Sequence, residues 1–593
     1  MTIRHVLSLF ALGLLGACAS NVPGSDAEGE NTASIDQAMT SHGDDGDRDE
    51  DDRGEAVRHV VLISVDGLHQ VDLANFVAGH PGSTLARLAD RGVEYTNAHA
   101  PTPSDSFPGL LALVTGGTPK STGVYYDDSY DRTLFPPGSD CSGKPGTEAT
   151  YFEILATDFT QLFSPLNPAN LPRVKNAKGV CSPVFPHDFI KVNTIFEVIR
   201  EAGGYTAWSD KHVAYDIVNG PSGKGVVDLY TPEINSLIKN GGTANGVDLA
   251  GTLQLCDGTT NSLPLSKVGD YTTCMPSVMA YDDVKVQAVI NEIDGLTSDG
   301  TKKAPVPTIM GMNFQQVSVG QKLPVGGYKD AAGTPSTLLE GALEHVDQSL
   351  GRMVSELEKK HLLESTLFIV SAKHGQSPID LKKLAMEPGG RGNATVTDPL
   401  GFVNAADPNV DNVFASFVNP NDGSSPVVGG HLQTDDVGIL WLQDQSAANV
   451  ANVVAQLTNP ANAAAMFANV LPPGTIFETS INHGPELAEI FGDPTSHDPV
   501  AAARAPNVFI QPNWGVIYSG STKKISEHGG GTLDDTSVAL LVSNPRLRHQ
   551  VIAKHVGTKQ VAPTILRALG RPALRTFRLA RLWVDRPNYG CAA

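Results

Sequence analysis

Apolar runs that end in polar residues recur along the chain and predict a layered α/β fold. Three of them, at 60–65, 366–370 and 538–542, are short and rich in β-branched or aliphatic residues, which is typical of buried parallel strands. Amphipathic or capped stretches alternate with them, notably at 83–92, 194–201, 338–360 and 561–569. We therefore expect a central, mostly parallel sheet with helices on both faces.

Candidate metal ligands lie where these strands end. Asp66 follows the first run directly, His374 comes shortly after the second, and His528 stands in a glycine-rich turn before the third. Open α/β sheets bind ligands at the carboxyl ends of their strands, and imidazole with carboxylate suits zinc. A single His before Gly is more often a surface or satisfied core residue, so the indication comes from the shared position of the three.

Ser106 stands just before Pro108 and the apolar stretch 110–114. This pattern predicts a hydroxyl at the start of a helix with Pro in its first turn. The unpaired amides and the dipole of such a helix favour an anion. Two interpretations are open: Ser106 is a plain helix cap, or it is a nucleophile that faces a negatively charged substrate.

The N-terminal region predicts export. Residues 1–18 have the form of a signal peptide, with a basic start and a short apolar segment. Their end, Leu15-Gly16-Ala17-Cys18, resembles the bacterial lipoprotein box, which implies lipidation of Cys18 and an outer-membrane or periplasmic location; ordinary cleavage near Ala17 or Ala19 is the alternative. Residues 19–57 carry twelve acidic residues against two arginines and predict a disordered linker.

Cysteine content and charge narrow the function further. In an oxidising compartment, pairing of neighbours (Cys141 with Cys181, Cys256 with Cys274) is the simplest of several connectivities, with Cys591 left over. The net charge of −21 without a basic stripe argues against sequence-specific nucleic-acid binding.

The chain after the linker is predicted to form one domain at 58–588. Within it, residues 125–190 predict a loop insertion over the site, and residues 390–505 predict a possible small cap. The oligomeric state stays open.

The ordered motifs resemble the alkaline phosphatase superfamily, above all its type I phosphodiesterase/nucleotide pyrophosphatase branch. They are Val65-Asp66-Gly67, Ser106-Phe107-Pro108, Lys373-His374-Gly375 and Glu527-His528-Gly529-Gly530. The resemblance implies that Ser106 attacks phosphorus in a small phosphorylated substrate, and that Asp66, His374 and His528 bind divalent metal, with zinc as the expected ion.

Three of the ligands that the resemblance implies are missing. Lys373 stands where the family has Asp, and after the strand at 307–314 the expected Asp and His are replaced by Val317 or Ser318 and by Gln321 or Lys322. One metal is therefore expected rather than two. Three hypotheses compete: one metal on Asp66, Ser106 and His374 with His528 near the substrate, Lys373 as a catalytic cation in place of a metal, or an inactive site that only binds an anion.

Further residues are candidates for holding the substrate. The segment Trp208-Ser209-Asp210-Lys211-His212 resembles the Lys-x-His element of sulfatases, so Lys211 and His212 are expected to contact a substrate oxyanion, with Gln321 beside them. The sulfatase nucleophile signature is absent, which ranks a sulfatase-like hydrolase below a phosphodiesterase. We expect an exported phosphodiester or nucleotide pyrophosphate hydrolase, with an inactive anion-binding surface protein as the rival.

Overall fold

The computed structural model describes residues 56–150, 155–158, 160–238, 242–252, 274–386, 410–411, 430–442, 444–458, 480–482, 484–512, 514–517 and 524–570. The strands are β1 (His59–Val65), β2 (Gly92–Tyr95), β3 (Ala98–His99), β4 (Asp128–Asp131), β5 (Thr147–Thr150), β6 (Arg173–Lys175), β7 (Cys181–Pro183), β8 (Ala207–Ser209), β9 (Asp228–Tyr230), β10 (Thr243–Ala244), β11 (Val247–Asp248), β12 (Ile309–Phe314), β13 (Thr366–Ser371), β14 (Ala385–Met386), β15 (Val410–Asp411), β16 (Gly430–Thr434), β17 (Gly438–Trp441), β18 (Ser480–Asn482), β19 (Val508–Gln511), β20 (Val516–Ile517), β21 (Ser537–Val538), β22 (Leu540–Ser543), β23 (Gln550–Ile552) and β24 (Val556–Gly557).

The α-helices alternate with these strands along the chain, and the last helix follows the last strand. They are α1 (Gln70–Gly79), α2 (Thr84–Asp90), α3 (Ser106–Thr115), α4 (Pro119–Thr122), α5 (Pro186–Phe189), α6 (Ile195–Glu201), α7 (Leu249–Thr252), α8 (Met275–Ile293), α9 (Gln316–Lys322), α10 (Thr337–Lys359), α11 (Ala447–Thr458), α12 (Pro485–Phe491), α13 (Pro499–Arg504), α14 (Leu533–Thr536) and α15 (Val561–Ala568).

A central eight-stranded sheet positions the site. Its order is β23-β2-β22-β13-β1-β12-β8-β9, and β1 pairs in parallel with both β12 and β13. The expected mostly parallel sheet is confirmed. The third apolar run differs from its prediction, because it is split into β21 and β22, and β22 runs antiparallel to β13 and to β2.

The two faces of this sheet bury separate cores. Alternate residues of β1 point to opposite sides, so Val61 and Ile63 join a core shared with α8 and α10, while Val60 and Leu62 join one shared with α3 and α15. A strand buried on both faces explains the continuous apolar run in the sequence. Helices cover both faces of the sheet, as expected, and polar residues follow β1 at its carboxyl end.

A second sheet of five strands, β15-β16-β17-β19-β18, comes from the later part of the chain. Its buried side packs on the segment 125–130 through a cluster that contains Tyr125, Tyr126, Tyr130, Trp441 and Phe509. The insertion at 125–190 is therefore more ordered than a loop in its first part, where β4 and β5 form a buried antiparallel hairpin. The proposed extents of the insertion and the cap stay predictions.

Two cysteine predictions fall on described residues. Cys141 and Cys181 form a disulfide with a Cα–Cα distance of 5.6 Å. Cys274 is also disulfide-bonded, whereas its expected partner Cys256, together with Cys18 and Cys591, lies outside the described residues. The helix expected at 194–201 begins at Ile195, with Thr194 as its N-cap. Within the described parts of the chain, no helix is both long and apolar enough to span a bilayer.

Close packing in the central sheet generates a stability prediction. A Cβ at Gly311 of β12 would overlap the carbonyl oxygen of Leu62 and press on the ring of Trp208, whereas a Cβ at Gly341 of α10 meets nothing within 4 Å. We expect Gly311→Ala to lower the free energy of unfolding by about 1–3 kcal/mol through overpacking. The matched control Gly341→Ala should raise it by up to about 1 kcal/mol, because Ala is the better helix former. Urea unfolding followed by circular dichroism measures both, and equal signs would contradict the packing argument.

Candidate active site

Asp66 lies at the carboxyl end of β1, directly after the apolar strand, with 1% of its surface exposed. Its backbone amide donates to the carbonyl of Phe314 (3.0 Å), which holds it between β1 and β12. Gln315 Nε2 donates to Asp66 Oδ2 at 2.6 Å, while Oδ1 is buried and has no hydrogen-bond partner. Burial alone would raise the pKa of Asp66, but Lys373, His374 and Lys211 lower it below its usual value, so the carboxylate is ionised.

Ser106 is the first residue of α3, and Asp105 rather than Ser106 caps this helix through a hydrogen bond from the Phe107 amide (3.3 Å). The serine hydroxyl is therefore not used as the cap. Lys211 Nζ lies 3.4 Å from Ser106 Oγ and 3.8 Å from Asp66 Oδ2. A cation, a carboxylate and a hydroxyl thus meet at the start of a helix, where the helix dipole adds positive potential.

Lys373 is fully buried, and its ammonium group is hydrogen-bonded to Asp210 and Tyr215 rather than to Ser106. Its ammonium donates to Asp210 Oδ1 and to the hydroxyl of Tyr215, both at 3.0 Å, and it lies 4.2 Å from the centre of the Tyr215 ring. Burial lowers the pKa of Lys373, while Asp210 and Asp66 raise it. Lys373 stands where the resemblance implies an Asp, and its positive charge is neutralised by the carboxylate of Asp210.

The imidazole rings of His374 and His528 lie against each other at a tilt of 31°. Their ring centres are 3.8 Å apart, and His374 Nε2 lies 3.9 Å from Asp66 Oδ2. Burial lowers the pKa of His374 to about 4 and that of His528 well below its usual value. Both rings are consequently neutral near pH 7, which is the form that binds metal. His374 Nε2 and His528 Nδ1 are buried without a hydrogen-bond partner.

Asp105 links the serine loop to its surroundings. Its Oδ2 accepts from the amide of Asp127 at 3.0 Å, and its Oδ1 lies 3.6 Å from His528 Nδ1. Burial raises the pKa of Asp105, against the effect of the backbone amides that donate to it. The start of the insertion at 125–190 is thereby attached to the residue before Ser106.

Two expected substrate-binding residues are engaged elsewhere. His212 is buried, and its Nδ1 lies 2.8 Å from Glu233 Oε1. Gln321 Nε2 donates to the carbonyl of Gly67 (2.7 Å) and to the hydroxyl of Tyr328 (2.8 Å), beneath the loop that follows Asp66. Neither side chain is placed beside Ser106 by these contacts, unlike Lys211.

Sequence reasoning missed three residues of this site as participants: Asp210, Tyr215 and Gln315. Asp210 lies inside the segment that predicted Lys211 and His212, yet nothing local marks it as the partner of Lys373, which is 163 positions away. Gln315 directly follows β12, and its position at the end of a strand could have marked it as a residue of the site. Asp105 precedes Ser106, and its cap role follows from the preference of Asp for that position.

Asp66 and His374 carry donor atoms that could bind one metal ion. Asp66 Oδ1 and His374 Nε2 are buried and orphaned, and the 3.9 Å between Asp66 Oδ2 and His374 Nε2 is somewhat wider than the roughly 3.4 Å between ligand atoms of a tetrahedral zinc. These two residues fit one divalent cation with little movement. Among the described residues, the groups of three with ligand atoms within 4.8 Å of one another lie elsewhere, so His528 does not complete a three-residue set in this geometry.

A family comparison identifies the relationship. Residues 60–156 and 293–412 match the family model described as type I phosphodiesterase / nucleotide pyrophosphatase. The resemblance predicted from the motifs is confirmed. The matched ranges contain Asp66, Ser106, Lys373 and His374, and the match supports a phosphodiesterase/nucleotide pyrophosphatase-like hydrolase. A comparison with curated protein sequences finds no match.

Solved structures agree with this fold. A mutant of alkaline phosphatase PafA is 13% identical, with 88% of this chain and 99% of that chain covered and a TM-score of 0.50. Murine ectonucleotide pyrophosphatase / phosphodiesterase 5, in an inactive form in complex with AMP, is 12% identical over 87% and 96% of the two chains, with a TM-score of 0.45. The alkaline phosphatase-like fold expected from the sequence is confirmed.

The Lys373–Asp210 pair generates a prediction that a double-mutant cycle can test. Lys373→Met or Asp210→Asn alone leaves an uncompensated buried charge, so each should lower the free energy of unfolding by about 3–5 kcal/mol. The double variant should cost less than the sum, with a coupling of about 1–3 kcal/mol. Chemical denaturation measures all four proteins. Lys359→Met, which breaks an exposed pair with Glu356, should leave the free energy of unfolding nearly unchanged. Additive single effects at 373 and 210 would refute the pair.

Proposed function

We propose that this protein hydrolyses phosphodiester or nucleotide pyrophosphate bonds with Ser106 as the nucleophile. The observation that carries the proposal is the position of Ser106 at the start of α3, 3.4 Å from the ammonium of Lys211, in a chain whose fold and motifs match phosphoester hydrolases. A positively charged group beside the hydroxyl favours both its deprotonation and the approach of a phosphate.

The chemistry proposed for these residues is a two-step displacement. Ser106 Oγ loses its proton to solvent and attacks phosphorus, so that the Oγ–P bond forms while the bond from phosphorus to the leaving oxygen breaks. Water then attacks the same phosphorus, the Oγ–P bond breaks, and a proton returns to Ser106 Oγ. Lys211 faces the charge that develops on the phosphoryl oxygens, and the amides at the start of α3 add to this stabilisation. Asp66, ionised at 3.8 Å from Lys211, keeps the ammonium in place.

One divalent ion is part of the proposal. Asp66 and His374 would hold it, since each has a buried donor atom without a partner and both side chains are in their ligating protonation state. Such an ion supplies a Lewis acid that lowers the pKa of the serine hydroxyl and offsets phosphoryl charge. The tilted ring of His528 lies against His374 and helps to orient it. The contacts of Lys373 with Asp210 support a structural role for Lys373 rather than the catalytic role expected from the sequence.

The proposal includes export and a lipid anchor at Cys18. The Cys141–Cys181 disulfide supports an oxidising compartment, and the acidic segment 19–57 would hold the catalytic domain away from a negatively charged membrane surface. The partner is then a small phosphorylated molecule outside the cytoplasm. Zinc is the proposed ion because imidazole and carboxylate are among its preferred ligands.

Hydrolysis of p-nitrophenyl phosphate monoesters and diesters tests the nucleophile. Ser106→Ala should lower kcat by three orders of magnitude or more, the size of effect typical for loss of a nucleophile. Ser106→Thr keeps a hydroxyl and should retain measurable turnover. Faster cleavage of the diester than of the monoester is expected for a phosphodiesterase.

The control variant is Ser104→Ala, two residues away, which removes a hydrogen bond to the carbonyl of Asp535 but no reacting group. It should affect stability more than kcat. Equal rates for the wild type and Ser106→Ala would reject the nucleophile. Absence of turnover by the wild type would leave the rival function, an inactive anion-binding protein in which Lys211 provides the charge.

Metal content tests the second part of the proposal. His374→Gln replaces a ligand by an amide of similar size, so the purified protein should hold one divalent ion fewer per chain than the wild type, because two protein ligands are too few to lose one. Inductively coupled plasma mass spectrometry on both proteins measures the difference. His345→Gln, a change at a half-buried histidine paired with Asp283, should leave the content unchanged; the same content in His374→Gln and wild type would contradict the ligand assignment.

A further inference from the structure

A second cluster of ligand-type side chains lies outside the site described above. Asp128, Glu148 and His431 each offer one ligand atom, and these atoms all lie within 4.8 Å of one another. The three residues are 1%, 3% and 3% exposed. None of them belongs to the motifs of the family or was singled out in the sequence.

The hairpin geometry explains why the two carboxylates converge. In the β4–β5 pair, Asp128 is opposite Thr150 and Glu148 is opposite Tyr130. Asp128 and Glu148 are therefore diagonal neighbours on one face of the hairpin, since side chains alternate along each strand. That face carries Tyr130 into the apolar cluster of the five-stranded sheet, so the two acids face protein rather than water.

His431 comes from that other sheet. It lies on β16 opposite Trp441 of β17, with 5.7 Å between the two ring centres, and β16 packs against β4. His431 Nε2 lies 3.6 Å from Asp128 Oδ2. This distance is longer than a hydrogen bond and close to the roughly 3.4 Å that separates neighbouring ligand atoms around a tetrahedral zinc.

Charge also bears on this cluster. Two carboxylates side by side in a buried place favour a nearby cation or a proton. On the opposite face of β4, Asp131 accepts a hydrogen bond from Arg504 Nε at 2.8 Å. In the group of Asp128 and Glu148 the third member is an imidazole, which is a metal ligand in its neutral form.

We propose that Asp128, Glu148 and His431 bind a divalent transition-metal ion of the zinc class, which joins the β4–β5 hairpin to the five-stranded sheet. Three protein ligands of nitrogen and oxygen type from three strands suit zinc in ligand type and spacing. Because the ligands come from segments about 300 positions apart, the ion adds a cross-link to the packing and to the hydrogen bond from the Tyr126 hydroxyl to Asp435 (3.0 Å), which also join these segments. The proposal is independent of the nucleophile and of the ion at Asp66 and His374.

Zinc content and zinc-dependent melting of the full-length protein test the site. Glu148→Gln replaces a carboxylate by an amide of the same shape, and His431→Phe keeps a ring against Trp441. After chelation and reloading with Zn²⁺, each variant should hold one ion fewer than the wild type and lose the rise in Tm that Zn²⁺ gives, because an ion that binds only the folded state stabilises it. His80→Ala, at the half-exposed group with Glu340 and Glu344, should match the wild type. Unchanged zinc content in both folded variants would overturn the proposal.

A second measurement does not depend on how these variants fold. In the His374→Gln protein, from which the other proposed ion is missing, Zn²⁺ titration by calorimetry should show one remaining equivalent that raises Tm. No remaining equivalent would overturn the hairpin site. Unchanged ester hydrolysis by His374→Gln, with this equivalent still present, would count against the proposed role of the Asp66–His374 ion alone.

Discussion

Compensation of the buried carboxylate at Asp66 is the constraint on which the candidate site depends. Asp66 follows a strand that is buried on both faces, and it is almost inaccessible to water. An ionised acid in such a position is unfavourable unless a positive charge lies close to it. The positive charge of Lys373 lowers the pKa of Asp66, and Lys211, 3.8 Å away, lowers it further. The serine loop, the second strand end and the loop after β8 must all reach this carboxylate, which fixes their mutual positions.

The two lysines near Asp66 have different parts in this arrangement. Lys373 replaces a carboxylate ligand of the family, but its ammonium is held by Asp210 and Tyr215 at 3.0 Å, so it behaves as one half of a buried ion pair. Lys211 is the cation that approaches Ser106. The positive charge at position 373 is therefore balanced by Asp210, and the Ser106 hydroxyl has Lys211 as its positive neighbour.

Much of this arrangement could be predicted from the sequence, and the rest could not for physical reasons. Apolar runs reported the central strands because strands buried on both faces need them, and the polar residues at their ends located Asp66 and His374. The partner of Lys373 could not be found, because an ion pair across 163 positions leaves no local pattern. The antiparallel direction of β22 was equally hidden, since parallel and antiparallel buried strands have the same composition. The convergence of Asp128 with His431 depends on how two sheets pack, which periodicity along one strand does not record.

The Lys373–Asp210 pair also limits which single substitutions this site can accept. A change of Lys373 to Asp would place a carboxylate beside both Asp210 and Asp66, giving three acids with one fewer cation. That change alone would be strongly destabilising, because it removes one partner of a buried ion pair and adds a like charge. The charge at position 373 and the charge at position 210 can therefore be exchanged only together.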